Sequence, residues 1–156
     1  MQRKPEPIEE HADPGVEPAC VLLAEDDDEL RRLLARALRR DGYRVIESED
    51  GTELLEVLAK DLAQCGVLQE VDLIVSDIRM PGYTGLNVLC GLRQAGVQVP
   101  VIVMTAFGDS DTIDRAHKLG AYCVLDKPFE TETLRHAVLA SLSEHVPAHV
   151  PVQFRY

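Results

Sequence analysis

No apolar run in this chain approaches the ~20 residues needed to cross a bilayer as a helix, so nothing in it predicts a membrane span. The start, Met1-Gln2-Arg3-Lys4-Pro5, is basic but leads into no apolar stretch. That argues against a secretory signal and for a cytoplasmic location. Basic side chains are outnumbered, 16 Lys and Arg against 27 Asp and Glu, for a formal net charge of −11. A surface that acidic argues against non-specific nucleic-acid binding, which needs positive charge. Cysteine is sparse: Cys20, Cys65, Cys90 and Cys123 form no C-x-x-C pair, and three of them fall in predicted strands or helices. They are expected to be buried free thiols rather than disulfides or a zinc site. His145 and His149 are four apart, but Pro147 between them prevents a shared helical face, so both are assigned to a tail.

What is present suits one globular domain. The chain has 156 residues, 46% hydrophobic and 28% charged, enough for a single sizeable core. Residues 1–18 hold four prolines and few large apolar side chains, and are expected to be a disordered tail. Structure then begins with Cys20-Val21-Leu22-Leu23-Ala24, an apolar strand running into Glu25-Asp26-Asp27-Asp28. Asp27 or Asp28 can cap a helix whose Leu30, Leu33, Leu34, Ala37 and Leu38 share one face, with Gly42 just past its end. Tyr43-Arg44-Val45-Ile46-Glu47 mixes polar and apolar residues and suits a sheet edge, and a helix over 51–62 places Leu54, Leu55, Leu58 and Leu62 inward.

After a longer connection comes Leu73-Ile74-Val75-Ser76-Asp77, the stretch on which the chain turns, followed by Ile78-Arg79-Met80-Pro81-Gly82. A helix over 85–95 carries Leu86, Leu89, Leu92 and Arg93 and stops at Gly96; Pro100 opens the strand Val101-Ile102-Val103-Met104, ending at Thr105. A helix over 109–119 begins at Asp109 or Ser110 and ends at Gly120. Tyr122-Cys123-Val124-Leu125 is a fifth strand, ending in Asp126-Lys127-Pro128. A last helix over 130–142 aligns Leu134, Ala137, Val138 and Leu142, and residues 144–156 form a second tail.

Five alternations of strand and helix argue for an α/β fold: a doubly wound, five-stranded parallel sheet with helices on both faces. The three continuously apolar strands (21–24, 73–75, 101–104) should be central and 43–47 at an edge. The flavodoxin-like order 2-1-3-4-5 satisfies this, and such sheets bind ligands beyond the carboxyl ends of their strands. In that order Glu25, Asp26 and Asp77 converge on one crevice, flanked by Thr105 and Lys127. Asp77 alone is equally consistent with a simple turn cap. The five positions together are not.

Three carboxylates in one crevice repel each other, and the usual remedy is a hard divalent cation with oxygen ligands, which describes Mg²⁺. This crowding predicts that removing the charge of Asp26 or Asp77 raises the melting temperature without metal. A carboxylate beside a metal, a lysine and a hydroxyl suits phosphoryl transfer onto Asp77, with Lys127 neutralising charge and Thr105 donating a hydrogen bond.

The segments Val21–Asp27, Asp77-Ile78-Arg79-Met80-Pro81-Gly82, Met104-Thr105-Ala106 and Lys127-Pro128-Phe129 resemble the receiver domain of two-component response regulators, over roughly residues 19–143. The resemblance implies that Asp77 accepts a phosphoryl group from a histidine kinase or histidine phosphotransfer protein. It implies that Asp26, Asp77 and the backbone carbonyl of Arg79 hold Mg²⁺, with Glu25 acting mostly through water. Thr105 would be the switch hydroxyl and Lys127 the phosphate contact, with a cis Lys127–Pro128 bond. By the same resemblance residues 109–125 would signal to a downstream protein target, and the protein would catalyse only its own phosphorylation and dephosphorylation. Because little chain follows residue 143, a stand-alone receiver is expected.

Two departures from the family's pattern stand out. Val124 occupies a position that is usually aromatic, and Tyr122, two residues earlier, is placed on the same strand face by alternation. Arg79 and Phe107 occupy the positions that commonly tune phosphoryl hydrolysis, and neither readily orients a water. Two alternative readings are a Mg²⁺-dependent phosphatase of the haloacid dehalogenase type, which wants a second Asp where Arg79 stands, and an interaction module that is never phosphorylated.

Overall fold

The computed structural model describes residues 16–145. The expected tails lie largely outside them, and His149 does so entirely. Within them five strands and five helices alternate: β1 (Cys20–Ala24), α1 (Asp28–Arg40), β2 (Arg44–Ser48), α2 (Gly51–Leu62), β3 (Leu73–Asp77), α3 (Gly85–Gln94), β4 (Val101–Thr105), α4 (Ser110–Lys118), β5 (Cys123–Asp126) and α5 (Thr131–Glu144). The strands form one sheet in the order β2-β1-β3-β4-β5, and every pairing is parallel.

The sheet is covered on both faces because its central strands are apolar at successive positions. Leu22, Ala24, Ile74, Val101 and Val103 point to one side and pack with Leu54 and Leu58 of α2, Leu86, Leu89 and Leu92 of α3, and Ala116 of α4. Val21, Leu23, Leu73, Val75, Ile102 and Met104 point to the other and meet Leu34 and Leu38 of α1 and Leu134 and Val138 of α5. Side-chain caps start four helices: Asp27, Asp50 and Asp109 accept from backbone N–H groups three residues on, and Thr84 forms a capping box with Asn87. No helix of the described residues is long and apolar enough to cross a membrane.

Several expectations are corrected. Leu33 is 53% exposed, and the buried polar position of α1 is instead Arg31. Four carboxylate or carbonyl partners around its guanidinium make that burial tolerable. Cys65 is exposed, whereas Cys20 is buried and Cys90 and Cys123 half-buried; all four are free thiols. The last helix continues to Glu144, and His145 caps it rather than starting a tail, its Nδ1 lying 3.0 Å from the Ser141 carbonyl. Tyr122 precedes β5, so strand alternation does not reach it. Its ring packs on the α1/α5 side, with its hydroxyl donating to Glu144 at 3.1 Å, while Val124 faces the α2–α4 side. Tyr122 therefore does not substitute for an aromatic at 124.

Candidate functional site

The carboxyl ends of β1, β3, β4 and β5 open on one rim, where parallel strands deliver their last residues side by side. Glu25 follows β1, and its backbone N–H donates to the Ser48 carbonyl at 3.1 Å, extending the sheet by one residue. Its side chain is 1% exposed. Asp77, the last residue of β3, is also buried, and Asp26 is exposed beside them. Carboxylate oxygens of these three acids lie within 4.8 Å of one another.

Lys127 enters from the turn after β5. Its Nζ donates to Glu25 Oε2 and to Asp77 Oδ2, both at 2.6 Å. Its backbone N–H donates to the Thr105 carbonyl at 2.7 Å, which ties this turn to the end of β4, and the Lys127–Pro128 bond is cis. The remaining carboxylate oxygens are also engaged: Glu25 Oε1 accepts from Asp27 N–H at 3.1 Å and Asp77 Oδ1 from Arg79 N–H at 3.0 Å. Thr105 is buried, and its Oγ1 accepts the N–H of Phe107 at 3.2 Å. Arg79, exposed on the loop after Asp77, stacks its guanidinium 4.7 Å from the centre of the Phe107 ring. Every sequence-derived site residue thus belongs to one cluster on the sheet rim.

The electrostatics follow from burial. Removal from water pushes the Glu25 carboxyl up to about 7, aided by the neighbouring Asp77 charge and opposed by Lys127 and the Asp27 N–H. Burial works against the Lys127 ammonium, but the hydrogen bonds it donates to Asp77 and Glu25 outweigh it and raise its pKa. The acids do not simply repel, because Lys127 shares its charge between two of them. Among the described residues of this cluster, Lys127 pairs with Asp77 and Glu25 but not with Asp26, so uncompensated repulsion falls on Asp26 rather than on Asp77. Asp26→Asn is expected to raise the melting temperature in chelator by roughly 3 °C, the effect of relieving about 1 kcal/mol of repulsion. A melting temperature equal to or below the parent's in a calorimetric scan contradicts it.

Two supporting residues went unnoticed in the sequence. Arg31 donates from Nη1 to the Glu25 carbonyl at 2.9 Å and from Nη2 to Asp28 at 2.5 Å, with Glu47 and Glu49 within 3.6 Å. It fixes the backbone that carries Glu25. Gly85 opens α3 against β3, its N–H donating to the Ile78 carbonyl at 3.1 Å; a methyl group there would lie 2.5 Å from the Asp77 carbonyl oxygen. An arginine in a leucine-rich helix and a glycine at a helix start were the only signals available. The all-oxygen donor set of Glu25, Asp26 and Asp77 fits a small hard cation.

Comparison with known proteins agrees with this geometry. A family model described as "Response regulator receiver domain" matches residues 21–139. The transcriptional regulatory protein GlrR of Escherichia coli is 33% identical over 131 residues, 84% of this chain but 28% of that protein. Sporulation initiation phosphotransferase F of Bacillus subtilis is 29% identical over 118 residues, covering 76% of this chain and 89% of its own length. Among solved structures, a receiver domain from Clostridium thermocellum superposes with a TM-score of 0.71 at 25% identity, covering 81% of this chain and 95% of that one. The chemotaxis protein CheY4 of Vibrio cholerae gives 0.68 at 28% identity over 80% of this chain and 99% of its own. The chain therefore spans only about a quarter of the first relative's length, and what it shares with that protein is one domain. Because that family model covers most of the chain, the chain belongs to the response regulator receiver domain family.

Proposed function

We propose that Asp77 is the phosphoryl acceptor of a two-component signalling pathway. The observation that carries this is the Lys127 ammonium held 2.6 Å from a buried Asp77 carboxylate at the rim of a parallel sheet, with two further acids beside it. An oxygen of Asp77 attacks the phosphorus of a phosphohistidine on a histidine kinase or phosphotransfer protein. The new O–P bond forms as the P–N bond breaks, the imidazole nitrogen leaves with the electron pair, and an acyl phosphate results. Lys127 neutralises charge on the phosphoryl oxygens, and the Thr105 hydroxyl donates to one of them. Mg²⁺ would be held by Asp26, Asp77 and the Arg79 carbonyl, with Glu25 acting through water, and when bound supplies positive charge to the transferring phosphoryl group. The output is a change in protein–protein contacts made by residues 105–125 with a downstream protein. A phosphatase of the haloacid dehalogenase type would want an acid two residues after Asp77, where Arg79 stacks on Phe107.

The test is incubation with a small acyl phosphate and Mg²⁺, followed by intact-mass measurement. The parent is expected to gain one phosphoryl group; Asp77→Ala, and the parent in chelator, are expected to gain none. Because neither Arg79 nor Phe107 orients a water, the product is expected to persist for minutes or longer in Mg²⁺. Equal labelling of Asp77→Ala removes the proposal, and a half-life of seconds removes its hydrolysis clause.

A further inference from the structure

Asp77, Arg79, Phe107 and Thr105 form a chain of contacts at the mouth of the site. The Asp77 carboxylate accepts the Arg79 N–H, the Arg79 guanidinium lies on the Phe107 ring, and the Phe107 N–H donates to the Thr105 hydroxyl oxygen. Phe107 is 65% exposed, with the Arg79 guanidinium on its ring and Thr105 on its backbone N–H. Its carbonyl in turn accepts the N–H of Asp109, the residue that caps α4. We infer that Arg79 and Phe107 act as a charge-sensitive latch on the Thr105 switch, with Phe107 the moving aromatic residue of this receiver.

This rests on the phosphoryl-acceptor reading and adds the relay that reads it. A phosphoryl group on Asp77 brings nearly two negative charges within reach of both partners of Phe107. A guanidinium stacked on an exposed ring is held more weakly than one making charge-assisted hydrogen bonds to a dianion. Arg79 is therefore drawn from the ring to the phosphoryl oxygens, and Thr105 turns its hydroxyl to the same group. Both restraints on Phe107 go together. The loosened 106–109 segment then repositions the α4 cap through the Phe107 carbonyl. Val124, which faces the α2–α4 side, has no ring to move, and Tyr122 packs on the opposite side.

The chain contains no tryptophan, so Phe107→Trp installs a single fluorophore that preserves the stack. Treated with a small acyl phosphate and Mg²⁺, this variant is expected to gain one phosphoryl group by mass and shift its emission maximum. In Phe107→Trp with Arg79→Gln, the resting emission is expected to lie already at the phosphorylated position, and phosphorylation to add little. Arg79→Lys, which keeps a cation, is expected to restore part of the shift. Stoichiometric labelling with unchanged emission overturns the latch, as does an equal shift with and without Arg79→Gln. Absence of labelling overturns the phosphoryl-acceptor reading itself, and the latch with it.

Discussion

Replacing Lys127 by Met is expected to destabilise the metal-free protein by about 3 kcal/mol at pH 8, because removing one partner of a buried ion pair leaves the other charges uncompensated. Here two carboxylates are orphaned at once, since Nζ bridges Glu25 and Asp77 at 2.6 Å each. Met keeps the aliphatic stem, so packing is not the cause. The loss should depend on pH. Glu25 titrates at about 7 in the folded protein against an ordinary value of 4.5, so the folded state holds the extra proton between those limits. The stability this group contributes is full below about 4.5 and is lost as pH rises through 7. Taking away Lys127 raises the Glu25 pKa further and moves that window upward. The gap between variant and parent, read from urea melts in chelator, is accordingly expected to widen from pH 5 to pH 8. Adding Glu25→Gln to Lys127→Met should recover more than half of the loss at pH 8, since it removes one of the two unpaired charges. A gap that is constant with pH, or unaffected by Glu25→Gln, assigns the loss to packing instead.

The same lysine shows what could and could not be read before folding. Strand existence and sheet order were legible because β1 is apolar throughout and β3 and β4 are apolar at successive positions up to their polar carboxyl ends, the pattern of strands buried on both faces. The site was legible because parallel strands place their last residues on one rim, so Glu25, Asp26, Asp77, Thr105 and Lys127 had to meet once the order was chosen. How they meet was not. Periodicity cannot say that Lys127 spans two carboxylates, and so the repulsion expected at Asp77 is met in the structure by an ion pair. Arg31 was missed for a related reason: helical spacing assigns a charged residue to water unless its partners are known. Those partners, Glu47 and Glu49, come from the far end of β2 and the residue after it, contacts that exist only in three dimensions. Tyr122 was misplaced because the period-two rule was extended one residue beyond the strand.

Gly85→Ala is expected to lower the melting temperature by about 6 °C, the effect of roughly 2 kcal/mol of overpacking in a domain of this size. The added Cβ would lie 2.5 Å from the Asp77 carbonyl oxygen and 2.9 Å from Ser76 Oγ, and Ser76 Oγ itself donates to that carbonyl at 3.0 Å. Neither neighbour is the free end of a long side chain; relief requires α3 to back away from β3. That movement stretches the Gly85 N–H to Ile78 carbonyl bond of 3.1 Å and carries Asp77 off the Lys127 ammonium. Phosphorylation by a small acyl phosphate should therefore slow by about tenfold or more, since displacements well under an ångström are felt at a reacting centre. Gly91→Ala supplies the control on the same helix. Its Cβ would meet nothing within 4 Å, so the better helix propensity of alanine should stabilise the protein by about 0.5–1 kcal/mol and leave phosphorylation unchanged. Opposite signs from the same substitution, six positions apart, isolate close backbone approach as the reason for glycine at 85. A Gly85→Ala protein that melts and labels like the parent shows that α3 does not press on the strand bearing Asp77.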